Sequence, residues 1–142
     1  MSNEKDIDFI TSLHKDDSIG LTLCTGSLGV NKKNDFNRII SKNGKYINFI
    51  HLRNIKRLPK SFDFHEATHL DGDVNMVGII KLILNEEKRR KKQNLSNCNI
   101  PMRPDHGHTI LYDQNKDIVP GYSLLGRMKG LAELQGIIKV LN

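Results

Sequence analysis

The sequence has no tryptophan, four prolines and two cysteines, and its only aromatics are five Phe and three Tyr. Two cysteines, Cys24 and Cys98, are too few for a disulfide-built scaffold. The N-terminus, MSNEKDIDF, lacks the basic start, apolar stretch and cleavage site of a secretory signal, so both cysteines read as thiols of a cytoplasmic protein. No apolar run approaches the roughly 20 residues of a membrane span. The low proline content and the lack of low-complexity tracts exclude a collagen-like or disordered chain, and 37% hydrophobic with 27% charged residues describes a soluble globular one. At 142 residues the chain is long enough for one domain with a single core, yet well short of the roughly 250 residues of a complete eight-stranded α/β barrel.

Charge is less informative than its total suggests. The net +6 owes much to one run, Lys88-Arg89-Arg90-Lys91-Lys92, directly after Glu86 and Glu87. Such a run at a helix end complements the negative end of the helix dipole and keeps the surface solvated, so no nucleic-acid partner is expected. The competing reading is a non-catalytic module in which this run, with Arg53, Lys56 and Arg57, holds a polyanion.

Apolar spacing at Ile7, Phe9, Ile10 and Leu13 predicts a short helix, ended by the polar residues 14–18. Ile19 to Cys24 has the composition of a buried strand running into the Thr25-Gly26-Ser27 loop. Asn34 or Asp35 caps a helix with Phe36, Ile39 and Ile40 on its apolar face and Gly44 as its stop. Tyr46 to Leu52 is a second strand, with His51 near its end. Leu58 to Leu70, with Pro59 and two Phe, reads as an ordered loop. Asp71-Gly72-Asp73 is expected to cap a helix over 74–94 with Val74, Val77, Ile80, Ile83 and Leu84 inward. Ile100 to Asp105 is a short extended segment between two prolines, and a last helix starts at about Ser123 despite Gly126, Gly130 and Gly136. This order is the alternation of parallel βα units, three of them.

Parallel strands present their C-terminal ends at one mouth. Cys24, His51 and Asp105 each stand at such an end and together offer a thiolate, an imidazole and a carboxylate to a divalent metal. Taken singly, each has an ordinary structural explanation: a buried small hydrophobe, a satisfied histidine, a turn former.

The segments LTLCTGSLGV, HLRNIKR, FHEATHLDGDVNM, IPMRPDHGH and PGYSLLGRMKGLAELQGI, in this order, resemble the C-terminal part of mannonate dehydratases. The resemblance covers nearly the whole chain from about Gly20. It implies an α/β fold, the C-terminal portion of a TIM-type (β/α)8 barrel of the xylose-isomerase-like kind, as one partial domain over 1–142. It further implies a hydro-lyase that converts D-mannonate to 2-dehydro-3-deoxy-D-gluconate and water in glucuronate catabolism, with Mn2+ or Fe2+. By the same resemblance Cys24, His51 and Asp105 are metal ligands, His106 and Tyr122 handle protons, and Arg103 holds the acidic substrate. Against the family, the chain begins near the sixth strand and lacks an upstream metal-binding histidine. A fragment of a longer or split gene, a piece that assembles with a complementing N-terminal chain or as a homo-oligomer, and an inactive remnant all fit that picture. A sugar isomerase on the same barrel is a further alternative.

His65 and His69 in HEATH match the spacing of the zinc-protease H-E-x-x-H motif, which needs both histidines on one helix face. The surrounding sequence has little helical periodicity, so the protease reading is not expected. The resemblance instead places this segment in a loop at the mouth of the site.

Overall fold

A computed structural model describes residues 1–13, 16, 19–59 and 61–142. In chain order the elements are α1 (Glu4–Leu13), β1 (Leu21–Cys24), α2 (Thr25–Gly29), α3 (Phe36–Asn43), β2 (Ile47–Leu52), β3 (Ile55–Arg57), β4 (Phe64–Glu66), α4 (Met76–Lys92), β5 (Met102–Pro104) and α5 (Leu124–Leu141), with 3-10 turns over Gly44–Tyr46 and Leu111–Asn115. The polar stretch 14–18, expected to end α1, lies apart from Asp16 outside the described residues.

β1, β2 and β5 form a parallel sheet in the order β1-β2-β5, so the three expected strands are present, each shorter than the sequence suggested. Tyr46 is drawn into the preceding 3-10 turn, and Pro101 and Pro104 confine β5 to three residues because proline cannot donate to a ladder. Leu23, Ile50 and Leu52 turn one face of the sheet into the core, where Ile39 and Ile40 of α3 and Ile79, Ile80 and Ile83 of α4 meet it. Truncating Ile80, fully enclosed there, to Ala costs about 2–5 kcal/mol.

Capping explains where the helices start. The Asp35 carboxylate accepts the N–H groups of Asn37 and Arg38 at the head of α3. Ser123 does the same for α5 through Gly126. The expected cap of α4 is corrected: Asn75 accepts the Gly78 N–H at 3.0 Å, whereas Asp73 takes the backbone N–H of Arg57 and pairs with Lys56. The inward stripe of α4 is therefore Met76, Ile79, Ile80, Ile83 and Leu84, and Val77 is 48% exposed.

Two further expectations are revised. Within 58–70, taken as loop, β4 pairs antiparallel with β3, Ile55 opposite Glu66 and Arg57 opposite Phe64. Strands of three residues are too short for alternation to register in the sequence. The basic run is also not uniformly solvated. Arg90 is 1% exposed and donates to the carbonyls of Gly44 (2.6 Å), Ile47 (2.7 Å) and Asn97 (2.8 Å) and to Glu86 (3.0 Å). It ties the end of α4 to the entry of β2, and the Glu86 carboxylate is shared with Arg89. Among the described residues no helix is long and apolar enough to cross a membrane.

Candidate metal centre

Register assembles the centre. Cys24 is the β1 partner of His51 on β2, and His51 is the partner of Arg103 on β5, with Asp105 two residues further on. Partners on parallel strands send their side chains to the same face, and here that is the face opposite Leu23, Ile50 and Leu52. The ligand atoms of Cys24, His51 and Asp105 all lie within 4.8 Å of one another, and all three residues are half-buried. His51 Nδ1 is 3.5 Å from Asp105 Oδ1, and the Cys24 sulfur accepts the Ser27 N–H at 3.5 Å. One sulfur, one imidazole nitrogen and one carboxylate oxygen at this spacing suit a divalent transition ion.

The other expected site residues lie beside the triad. Arg103 donates to Asp105 Oδ1 at 3.0 Å from an exposed position at the rim. His106 directs Nδ1 to within 3.2 Å of Asp105 Oδ2, off the line of a hydrogen bond, and to 3.8 Å of Glu66 Oε2, beyond hydrogen-bond distance. Its ring meets that of Tyr122 edge-on, with centroids 5.5 Å apart and planes at 66°. Tyr122 is exposed on its other side and lies under the Arg127 guanidinium.

This juxtaposition depends on a glycine. The Gly107 N–H donates to the Gly121 carbonyl at 2.9 Å, and Gly107 and Tyr122 form an isolated parallel bridge, which brings residues 106 and 122 together across a long loop. Gly121 has φ +85, and a Cβ there would lie 2.8 Å from His106 Cδ2. Both the backbone angle and the space call for glycine. The loop between them is anchored by Asp113, a buried carboxylate that accepts the Ser123 hydroxyl (2.8 Å) and the Leu125 N–H (2.9 Å) at the start of α5.

Two residues of the centre were not singled out for it from the sequence. Arg53, next to the end of β2, sends Nε to both carboxylate oxygens of Glu66 at 3.0 Å, and its Nη2 to Oε1. The hydrogen bond to Glu66 raises the guanidinium pKa; burial opposes this, and the charge of the Glu66 carboxylate adds to the increase. Gly26 gives the side chain room, since a Cβ there would lie 2.5 Å from Arg53 Cγ. Arg53 had a signal, its place two residues after His51. Glu66 had none beyond the HEATH match.

That match does not make a metal pair. His65 and Glu66 belong to β4, so the helix that H-E-x-x-H needs is not formed. His69 is 5% exposed, packs on Gly130 of α5 and lines a cavity of about 50 Å³ together with His108. Burial pushes its pKa down, which favours the neutral ring. The basic-module reading loses most of its free cations: Arg53 is committed to Glu66, Lys56 and Arg57 to Asp73, and Arg89 and Arg90 to Glu86.

The chain is similar to known proteins over almost its whole length. The family model described as D-mannonate dehydratase (UxuA) matches residues 1–142. A mannonate dehydratase of Marinomonas sp. (strain MWYL1) is 49% identical over 137 residues, 96% of this chain and 35% of the relative. One of Saccharophagus degradans is 53% identical over 126 residues, 88% of this chain and 32% of the relative. The crystal structure of mannonate dehydratase from Streptococcus suis serotype 2 superposes with a TM-score of 0.80 at 28% identity, covering 99% of this chain and 37% of that one. The chain thus spans about a third of the length of the curated relatives it matches.

Proposed function

The chain belongs to the D-mannonate dehydratase family, and from that premise we propose that it carries metal-binding and proton-transfer residues of an enzyme that removes water from D-mannonate. The observation that carries the reading is the triad of Cys24 and His51, register partners, with Asp105 just past the end of β5, and with His106 and Tyr122 beside it. We take the parallel sheet as part of a TIM-type barrel of the xylose-isomerase-like kind, with the centre at the C-terminal ends of its strands. The two free cysteines support a reducing compartment such as the cytoplasm.

The chemistry explains the residue types. The C2 proton of the sugar acid lies next to a carboxylate and is very weakly acidic. The C3 hydroxyl leaves poorly unless it is protonated. Cys24, His51 and Asp105 would hold a divalent ion such as Mn2+ or Fe2+, which would supply a positive charge against the negative charge developing on the substrate. His106 and Tyr122 divide the proton work between them: one takes the proton from C2, the other gives one to the C3 oxygen, which departs as water. The enol left between C2 and C3 then becomes the 2-keto group of 2-dehydro-3-deoxy-D-gluconate. Arg103, exposed at the rim, places a guanidinium where the substrate carboxylate can pair with it.

The test is product analysis after incubation with D-mannonate and Mn2+, with His106→Asn and Tyr122→Phe beside the parent chain. Proton-transfer roles predict a loss of at least about a hundredfold in each variant, within the usual range for general acid–base groups. A product that keeps its C3 hydroxyl would identify an isomerase instead.

A further inference from the structure

We infer that Glu66 is the positioning residue of His106: its carboxylate is the partner of Nδ1 and thereby presents Nε2 for proton transfer. This rests on the reading of His106 as a proton-transfer group.

The starting observation is that His106 Nδ1 is buried and has no hydrogen-bond partner, although two carboxylates stand near it. Buried ring nitrogens are ordinarily paired. Asp105 is the nearer, at 3.2 Å, but it is the adjacent residue and lies off the line of a hydrogen bond. Its other oxygen faces His51 and Arg103, and its place is within the triad.

Glu66 is committed to Arg53 rather than to the triad. It lies outside the triad, on β4, where pairing with Ile55 fixes its backbone. Arg53 holds its two oxygens from one side and leaves lone pairs over. Oε2 is 3.8 Å from Nδ1, so a side-chain adjustment of about 1 Å brings it to hydrogen-bond distance. Because the nitrogen that carries the proton is set by the hydrogen bond it makes, a Glu66 acceptor places the proton on Nδ1 and leaves the Nε2 lone pair open. Arg53 sets the position of the carboxylate in turn. This gives FHEATH a role its protease-like spacing concealed.

The deciding measurement is a long-range 1H–15N spectrum of the metal-free chain, which reads the tautomer of the His106 ring directly. The wild-type chain and Asp105→Ala should both show the proton on Nδ1, and Glu66→Ala should show mixed tautomers. Glu66→Gln, which keeps the side-chain length and an acceptor for Arg53, covers the case in which Glu66→Ala does not fold: it should shift the Nδ1 proton upfield. A ring unchanged in both Glu66 variants, or one whose tautomer is lost in Asp105→Ala, overturns the inference. In turnover, Glu66→Gln should lower kcat by about 10–100-fold with KM unchanged, the usual scale for a residue that supports an active-site group from behind. Turnover that survives His106→Asn overturns the reading of His106 itself, whatever the ring shows.

Discussion

Cys24 and His51 are register partners on neighbouring parallel strands, so one backbone ladder sets the spacing of two different side chains that can ligate a metal. Asp105 joins them just past the end of β5, and none of the three depends on a flexible loop to reach the others.

A first prediction follows for metal binding. Mn2+ should raise the thermal midpoint of the parent chain, and at about a hundred times the dissociation constant the stabilisation is about 2.7 kcal/mol. Cys24→Ser and His51→Ala should each remove most of that shift while leaving the metal-free midpoint nearly unchanged, since both side chains are only half-buried. An equal shift in all three proteins would place the bound ion elsewhere.

Glycines of α5 should respond in opposite directions. A Cβ at Gly130 would fall 2.2 Å from His69 Cε1, so the buried ring must shift, and Gly130→Ala should destabilise by about 1–3 kcal/mol despite the better helix propensity of alanine. A Cβ at Gly136 would meet nothing within 4 Å, and Gly136→Ala should stabilise by about 1 kcal/mol. Urea denaturation of both variants checks the pair. Equal gains in the two would show that His69 does not pack on α5.

How much of this was legible beforehand depended on the length of each signal. The head of α3 at Asn34 or Asp35, the start of α5 near Ser123 and the places of Cys24 and His51 at or next to strand ends were readable because composition, periodicity and a polar stop coincided there. β3 and β4 were not, since three-residue strands carry no usable alternation, and with them went the position of Glu66. Arg90 shows a different limit. A run of five cations reads as a solvated face, and only the tertiary fold shows that one of them turns inward to three backbone carbonyls. The Asp71-Gly72-Asp73 cap failed because Asp73 had a stronger use, pairing with Lys56 and with Arg57. Contact between His106 and Tyr122, 16 positions apart, had no local signature at all and comes from the Gly107–Gly121 hydrogen bond.

Acid should loosen the loop that carries Tyr122. The Asp113 carboxyl is held below its ordinary value chiefly by the Leu125 N–H, then by the Ser123 hydroxyl. A group whose folded pKa is depressed contributes stability above its unfolded value of about 3.9 and loses it as pH falls through the folded value. Asp113→Asn should therefore have a lower urea midpoint than the parent chain near neutral pH, with the gap closing below about pH 3.9. A gap of constant size across that range would mean that the carboxylate charge contributes nothing there.

The central claim is tested most directly by turnover of D-mannonate with added Mn2+ or Fe2+, by the chain alone and together with a polypeptide supplying the remaining two thirds of a relative's length, with Cys24→Ser as control. Metal-dependent formation of 2-dehydro-3-deoxy-D-gluconate in either mixture, lost in Cys24→Ser, is the predicted result. Folded protein that binds the ion yet yields no product in either mixture, or product that survives Cys24→Ser undiminished, would contradict the claim.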